Sequence, residues 1–199
     1  MTKPALLIIG AGGFGRTVAE AAILSGEWGS ADFVDDSYPE HSLPDGYNVV
    51  GHSNNLPDLL PAYTGVVVAI GNNKVRSEKL AYLASLGANI VNVYHPRSFV
   101  SARALVAAGT LVMAGAIIGA HAKVGRGCIL NPNAVADHDS IMEDYSHLGV
   151  GAVMAGTSVL KQGAWLRAGV ALTYGDVVPA WLIVERGHLL PSVLNRATS

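Results

Sequence analysis

Two hydrophobic rhythms divide the chain. From Ala5 to about Tyr94, short β-branched runs alternate with amphipathic stretches; the runs are Ala5 to Ile9, Ala31 to Val34, Val66 to Ile70 and Ile90 to Val93. Gly15 to Ser25 sets Val18, Ala22 and Ile23 on one helix face, and Lys74 to Leu86 does the same with Val75, Leu80 and Leu83. Strand, helix and strand in succession predict a small parallel sheet covered by helices. Between Ser37 and Pro61 the chain is rich in Pro, Asn, Asp and Gly, which predicts turns, an edge strand around Val49 and a short helical piece.

After His95-Pro96 the period becomes six. Written in hexads from Ser98, the third position holds Val100, Val106, Val112, Ile118, Val124, Leu130, Ala136, Met142, Leu148, Met154, Leu160, Leu166 and Leu172. Ala136 alone is smaller than a full-sized aliphatic. Two positions earlier the residue is almost always Ala, Ser, Thr or Cys, and the sixth position is Gly about half the time. Neither an α-helix, with its period of 3.6, nor a simple strand, with its period of 2, keeps one face apolar at this spacing. A three-sided parallel β-solenoid with three hexads per coil does: each aliphatic points inward, the small residue packs beside it, and Gly serves the corner. Burying one such side chain contributes about 1.5 to 3 kcal/mol, so the aliphatic column is the main source of stability. Beyond Leu172 the repeat degrades, and VALTYGDVVPAWLIVERGHLLP looks like a closing segment. The expected domains are residues 1–95, residues 96–187 and a C-terminal tail, 188–199.

Composition narrows the possible partners. Half the residues are apolar and 14% are charged, enough for a sizeable core and unlike a disordered chain. A formal charge of −2 without a dense Lys/Arg run argues against nucleic acid or an anionic membrane as partner. MTKPALLIIGAGG is too short in apolar residues and too rich in Gly for a signal peptide, and no stretch reaches a membrane span, so a cytoplasmic protein is expected. The single cysteine, Cys128, makes no internal disulfide and lacks metal-ligand spacing, which leaves a small buried residue.

Candidate chemistry falls in two places. Residues 18 apart in a three-hexad coil stack about 4.8 Å apart. The densest polar cluster of the repeat, Asn131 to Asp139, includes the small rung Ala136 and carries His138 beside Asp139. One coil above His138 is Gly156, an unshielded backbone donor, and one coil below Asp139 is His121. A histidine oriented by a carboxylate suits a general base, and a free N–H one strand away suits an oxyanion; a pair of solvated turn residues is the alternative. His147, half a coil on, projects from a different face; it either meets His138 of a neighbouring subunit in a trimer or is a surface histidine. In the N-terminal half, Gly10-Ala11-Gly12-Gly13-Phe14-Gly15 follows a strand and opens a helix, with Asp35 and Asp36 ending the next strand about 20 residues on. That context suits phosphates at the helix N-terminus and a ribose or base against the acids. Its size suits a mononucleotide or nucleotide sugar, with NAD as a competing ligand. Asn72, in Ala69-Ile70-Gly71-Asn72-Asn73, either borders the same crevice or caps the next helix.

With GAGGFG, FVDD, AIGNNKVR, NVYHPRS, the hexads and NPNAVADHDSIMEDYSHLGVGAVMAG in view, residues from about 5 to 170 resemble bacterial sugar acyltransferases. These join a small Rossmann-like domain to a left-handed β-helix, and include UDP-4-amino-sugar N-acetyltransferases and sialic acid O-acetyltransferase-like proteins. The resemblance implies a trimer, acetyl-CoA as co-substrate and no metal. It assigns His138 as base, Asp139 as its supporting acid, Gly156 as donor to the thioester oxygen, and Asn131 and His147 as further active-site positions. Gly12, Gly13, Asp35, Asp36 and Asn72 match the nucleotide-sugar crevice, and Phe14 stands where many relatives carry His. The expected reaction is N-acetylation of a nucleotide-linked amino sugar; sugar O-acetylation and non-catalytic nucleotide-sugar binding remain the alternatives.

Overall fold

The computed structural model describes residues 4–39, 43 and 46–187. The chain divides into two compact units, Met1–Pro96 and Arg97–Ser199. The expected tail, 188–199, lies outside the described residues.

The first unit is a four-stranded, fully parallel sheet. Its strands are β1 (Ala5–Ile9), β2 (Ser30–Val34), β3 (Val49–Gly51) and β4 (Gly65–Val68), in the order β3-β2-β1-β4. Helix α1 (Gly13–Leu24) connects β1 to β2, the short α2 (Leu56–Leu59) follows β3, and α3 (Asn73–Ser85) follows β4. Leu6, Leu7 and Ile8 are fully buried in β1, as a strand covered on both faces must be. The expected run Ile90 to Val93 does not form a strand. Ile90 makes a single parallel bridge to Val66, and pairing resumes only in the separate strand Val93–Tyr94. Between them the polar Asn92 donates its side-chain amide to Tyr94 Oη at 2.9 Å. Gly15 is buried, and a Cβ there would collide with the Gly10 carbonyl oxygen, so the glycine brings α1 close onto the end of β1.

The second unit is the three-sided parallel solenoid that the hexads predict, of the left-handed β-helix kind that the resemblance implies. Fifteen two-residue strands, from Phe99–Val100 to Ile183–Val184, fall into three sheets in which each strand pairs with the one 18 residues away. The register is unbroken: Ile129 pairs with His147, His147 with Trp165, and Trp165 with Ile183. From Val112 to Leu172 the third-position side chains are at most 3% exposed, Ala136 included. At the small-residue positions, buried hydroxyls return to the chain: Ser140 Oγ donates to Asp137 O and Ser158 Oγ to Ala155 O, each at 2.6 Å. Cys128 is one of these small buried residues, fully enclosed with Sγ 3.3 Å from Glu143 O.

Every sixth residue from Gly109 to Gly187 has a positive φ. Where this corner position is not Gly it is His121, Asn133, Asp139, Tyr145, Thr157 or Trp181. The left-handed corner explains the glycine-rich sixth position, and it fixes Asp139 in a conformation that Asp and Asn tolerate better than most residues.

The coil continues through the segment in which the repeat degrades. Val177–Val178 and Ile183–Val184 continue two of the sheets, with Val178 fully buried and Val184 1% exposed. The departure in the sequence has a local cause. Asp176 occupies a small-residue position, and its Oδ2 accepts from Thr173 N at 2.7 Å and Thr173 Oγ1 at 2.8 Å, so a carboxylate replaces the usual hydroxyl without breaking the coil. Among the described residues no helix is long and apolar enough to cross a membrane.

Candidate active site

The polar corner of the solenoid follows the strand Val135–Ala136. There the backbone turns through Asp137, His138 and Asp139, and Asp137 Oδ1 accepts from His138 N at 2.7 Å. His138 Nδ1 lies 2.8 Å from Asp139 Oδ2. That contact assigns the proton to Nδ1 and leaves the Nε2 lone pair outward. Asp137 Oδ2 stands 4.0 Å from Nε2. The imidazole pKa is raised above its ordinary value, chiefly by the Asp139 hydrogen bond and then by the charge of Asp137, against a small desolvation effect. About half of the His138 side chain is exposed, so a reacting group has access to it.

The coil arithmetic holds here: Thr157 N donates to His138 O at 3.1 Å, and Asp139 N to Ala120 O at 3.0 Å. Gly156 therefore lies directly over His138. A Cβ on Gly156 would stand 2.5 Å from His138 Nε2 and 2.6 Å from Cε1, so the ring rests in the space a side chain would fill. On another corner of the solenoid two amides at the same hexad position are capped by a carboxylate, Arg126 N by Asp144 at 2.8 Å and Gln162 N by Glu143 at 3.0 Å. Gly156 N–H has no such cap and no backbone acceptor among the described residues. A basic nitrogen and an uncommitted N–H thus adjoin on one exposed corner.

Asn131 and His147 are brought together, away from that corner. Asn131 Nδ2 donates to His147 Nε2 at 2.7 Å and to Leu148 O at 3.0 Å. Because an amide nitrogen only donates, Nε2 is an acceptor and His147 carries its proton on Nδ1. His147 is 4% exposed, not a surface histidine, and it stacks on Trp165 with ring centroids 4.3 Å apart and planes 7° from parallel. The Arg167 guanidinium lies 3.9 Å from the Trp165 ring centroid. Trp165 is the residue one coil after His147, so the 18-residue spacing alone places it there. His121 sits at the corner below Asp139, exposed.

In the first unit, Gly12 is the N-cap of α1 and provides no side-chain cap. Gly12 and Gly13 are exposed, with open space where a Cβ would be, and Phe14 is half-buried in the first turn. The two acids serve the protein itself. Asp35 Oδ2 accepts from Ala11 N at 2.8 Å, tying the glycine loop to β2, and its Oδ1 accepts from Ser37 N at 3.0 Å and Ser37 Oγ at 2.5 Å. Asp36 accepts from Ser53 N, Ser53 Oγ and Lys79 Nζ. Burial opposes its ionisation, but the Ser53 and Lys79 hydrogen bonds outweigh that and bring its pKa down to about 2. Asn72 caps α3: its Oδ1 accepts from Lys74 N at 3.0 Å and Val75 N at 3.2 Å. Nearby, fully buried Arg76 donates to Ile70 O at 2.9 Å and to Asn73 Oδ1 at 2.8 Å, pinning the turn that follows β4. Among the described residues no group of three or more His, Cys, Asp or Glu is placed to hold a metal.

Residues 5–83 match the family described as the PglD N-terminal domain. The chain is similar to the acetyltransferase domain of PglB from Neisseria gonorrhoeae FA1090, solved in complex with acetyl coenzyme A. The two are 30% identical with a TM-score of 0.74, over 91% of this chain and 93% of that one. A variant of GDP-perosamine N-acetyl transferase from Caulobacter crescentus, solved with CoA and GDP-perosamine, is 32% identical with a TM-score of 0.73, over 92% and 89% of the two chains. WeeI from Acinetobacter baumannii AYE, at 20% identity and a TM-score of 0.66 over 89% and 94%, shares the fold. Two relatives at 30% identity or above, matched along nearly their whole length, together with the N-terminal family match, show that the chain belongs to the bacterial sugar acetyltransferase family.

Proposed function

We propose that this enzyme transfers the acetyl group of acetyl-CoA to the amino group of a nucleotide-linked amino sugar, of the UDP-4-amino-sugar type. The observation that carries the proposal is the single corner on which His138 Nε2 and the uncommitted Gly156 N–H adjoin. The amine must be neutral to attack, and it loses a proton as the C–N bond forms. His138 Nε2 accepts that proton while Asp139 holds the imidazolium, a contribution of about 10²- to 10⁴-fold. Gly156 N–H stabilises the oxyanion of the tetrahedral intermediate. Collapse breaks the C–S bond, and the proton held by His138 passes to the departing thiolate. The products are the N-acetylated sugar and CoA.

In this reading the open first turn of α1, at Gly12, Gly13 and Phe14, takes the diphosphate, while Asp35, Asp36 and Asn72 hold the crevice in shape. Asn131 and His147 form a positioning pair. The acyl donor and the amino-sugar acceptor are supported by the molecules solved with the two relatives. The uridine nucleotide rests on the motif resemblance, since one of those relatives was solved with a guanosine nucleotide.

We further propose a homotrimer. On the sheet that leads into the His138 corner the outward side chains are Phe99, Ile117, Val135, Val153 and Ala171, a wholly apolar column in which Phe99 is 61% and Ile117 40% exposed. Such a face suits burial against a second copy, which would set the corner beside the interface.

The test is thiol release from acetyl-CoA, followed with Ellman's reagent, across UDP-, GDP- and dTDP-linked amino sugars with hydroxyl acceptors alongside. Turnover with a UDP-linked amino sugar that vanishes in His138→Ala is the expected result. Turnover only with hydroxyl acceptors would make the enzyme an O-acetyltransferase. Silence across the panel in a folded protein would overturn the proposal.

A further inference from the structure

At the carboxyl ends of β1, β2 and β4 lies a cavity of about 200 Å³, lined by Ile9, Val34, Ile70 and Gly10 and, on its polar side, by Asp35, Asp36, Ser53 and Lys79. The place is the topological switch point of the sheet, where open α/β folds take their ligands. Its walls are aliphatic, as a flat ring requires. Of its polar groups, Asp35 accepts from Ala11 N and from Ser37, Asp36 is occupied by Ser53, Lys79 and His52, and Ser53 Oγ donates to Asp36 and accepts from Lys79.

Lys79 differs. An ammonium has three N–H donors. Two are taken, by Asp36 Oδ2 at 3.1 Å and Ser53 Oγ at 2.6 Å, and the third meets no acceptor among the described residues. The side chain is 23% exposed, so the ammonium is held in place by two partners and largely screened from water. A ligand group opposite it must accept a hydrogen bond.

We propose that this cavity takes the base of the nucleotide sugar and that Lys79 donates to a ring carbonyl, so that a keto base is selected over its amino counterpart. The inference rests on the nucleotide-sugar reading above and adds the atom that is read. Uracil and cytosine differ at one exocyclic position, a carbonyl oxygen against an amino group; guanine and adenine differ in the same way at C6, guanine carrying a further amino group at C2. A lysine donor facing the amino group leaves two donors opposed and unpaired.

The experiment is calorimetric titration of the intact chain with UMP, dTMP, CMP, GMP and AMP, without acetyl-CoA. UMP should bind more tightly than CMP, or GMP than AMP, by roughly tenfold or more, the range expected of a hydrogen bond to a charged group. Lys79→Met should abolish that ratio and Lys79→Arg should keep most of it. Melting curves of both variants separate loss of fold from loss of discrimination, because a purely structural lysine would weaken all nucleotides without changing the ratio. A ratio near one in the wild type, a ratio unchanged in Lys79→Met, or binding of no nucleotide would each overturn the inference. The acetyl-transfer assay stands apart: turnover of amino sugars with no preference among bases leaves the enzyme reading intact while removing the role of Lys79.

Discussion

The imidazole of His138 occupies the volume that a side chain on Gly156 would need, with Nε2 only 2.5 Å from where that Cβ would stand. The glycine therefore does two things: it seats the ring and leaves its own N–H open. Gly156 is absent from the positive-φ residues, so alanine meets no backbone strain there and the obstacle is the histidine itself. Gly156→Ala is expected to fold, to push His138 off its Asp139 partner, and to lower kcat by about 10²- to 10³-fold, the scale seen when an oxyanion site is disturbed. Steady-state kinetics beside a melting curve checks this. A variant with normal kcat would remove Gly156 and the seating of His138 from the mechanism.

Asp139 sets the pH at which the base becomes available. Its hydrogen bond, helped by the charge of Asp137, raises the His138 pKa, so the neutral base accumulates only above the ordinary histidine value of about 6.5. The acid limb of kcat/KM is expected above that value. Asp139→Asn keeps a residue that accepts the corner's positive φ but removes the charge, so the limb should move to lower pH while the plateau falls. A limb that stays in place would mean that another group titrates.

How much of this was legible in the sequence depended on whether a spacing rule reached the residue. The hexads fixed the inward column because an aliphatic at every sixth position has one geometric solution, and the same arithmetic put Gly156 over His138. It also contained Trp165 over His147, which turns a histidine at an outward position into a buried one. The crevice had no such rule. The motif offers Asp35 and Asp36 to a ribose or base, whereas Asp36 is held by Ser53 and Lys79, residues 17 and 43 positions away. Nothing local announces those partners. Asn72 carried both readings, and its helix cap, with Lys74 and Val75, is the local one.

The held state of Asp36 has a consequence for stability. Its folded pKa of about 2 lies below the value near 3.9 of an unfolded chain. The group therefore contributes stability that is fully present above about pH 4 and is lost as pH falls through about 2. Asp36→Asn is expected to lower Tm at neutral pH, and the difference from wild type should shrink between pH 4 and pH 2. With half of the side chain exposed the difference will be modest. An offset that stays constant down to pH 2 would show that the carboxylate's charge is not what its partners hold.

The last coil gives the sharpest test of register. Val177 and Val178 are adjacent and chemically identical, yet Val178 is fully buried in the prism while Val177 is 47% exposed on its outer face. An early-closing solenoid would leave the two alike; a continuing one separates them. Val178→Ala removes two buried carbons and leaves a void, so it should cost about 2 kcal/mol. Val177→Ala should stay within about 0.5 kcal/mol of wild type if that face remains open. Urea denaturation of the two variants measures the difference directly. Equal values, small for both, would put Val178 outside the core and end the solenoid at Leu172; equal and large values would mean that the outer face at Val177 is covered by another copy of the chain, on a face of the prism other than that of Phe99 and Ile117.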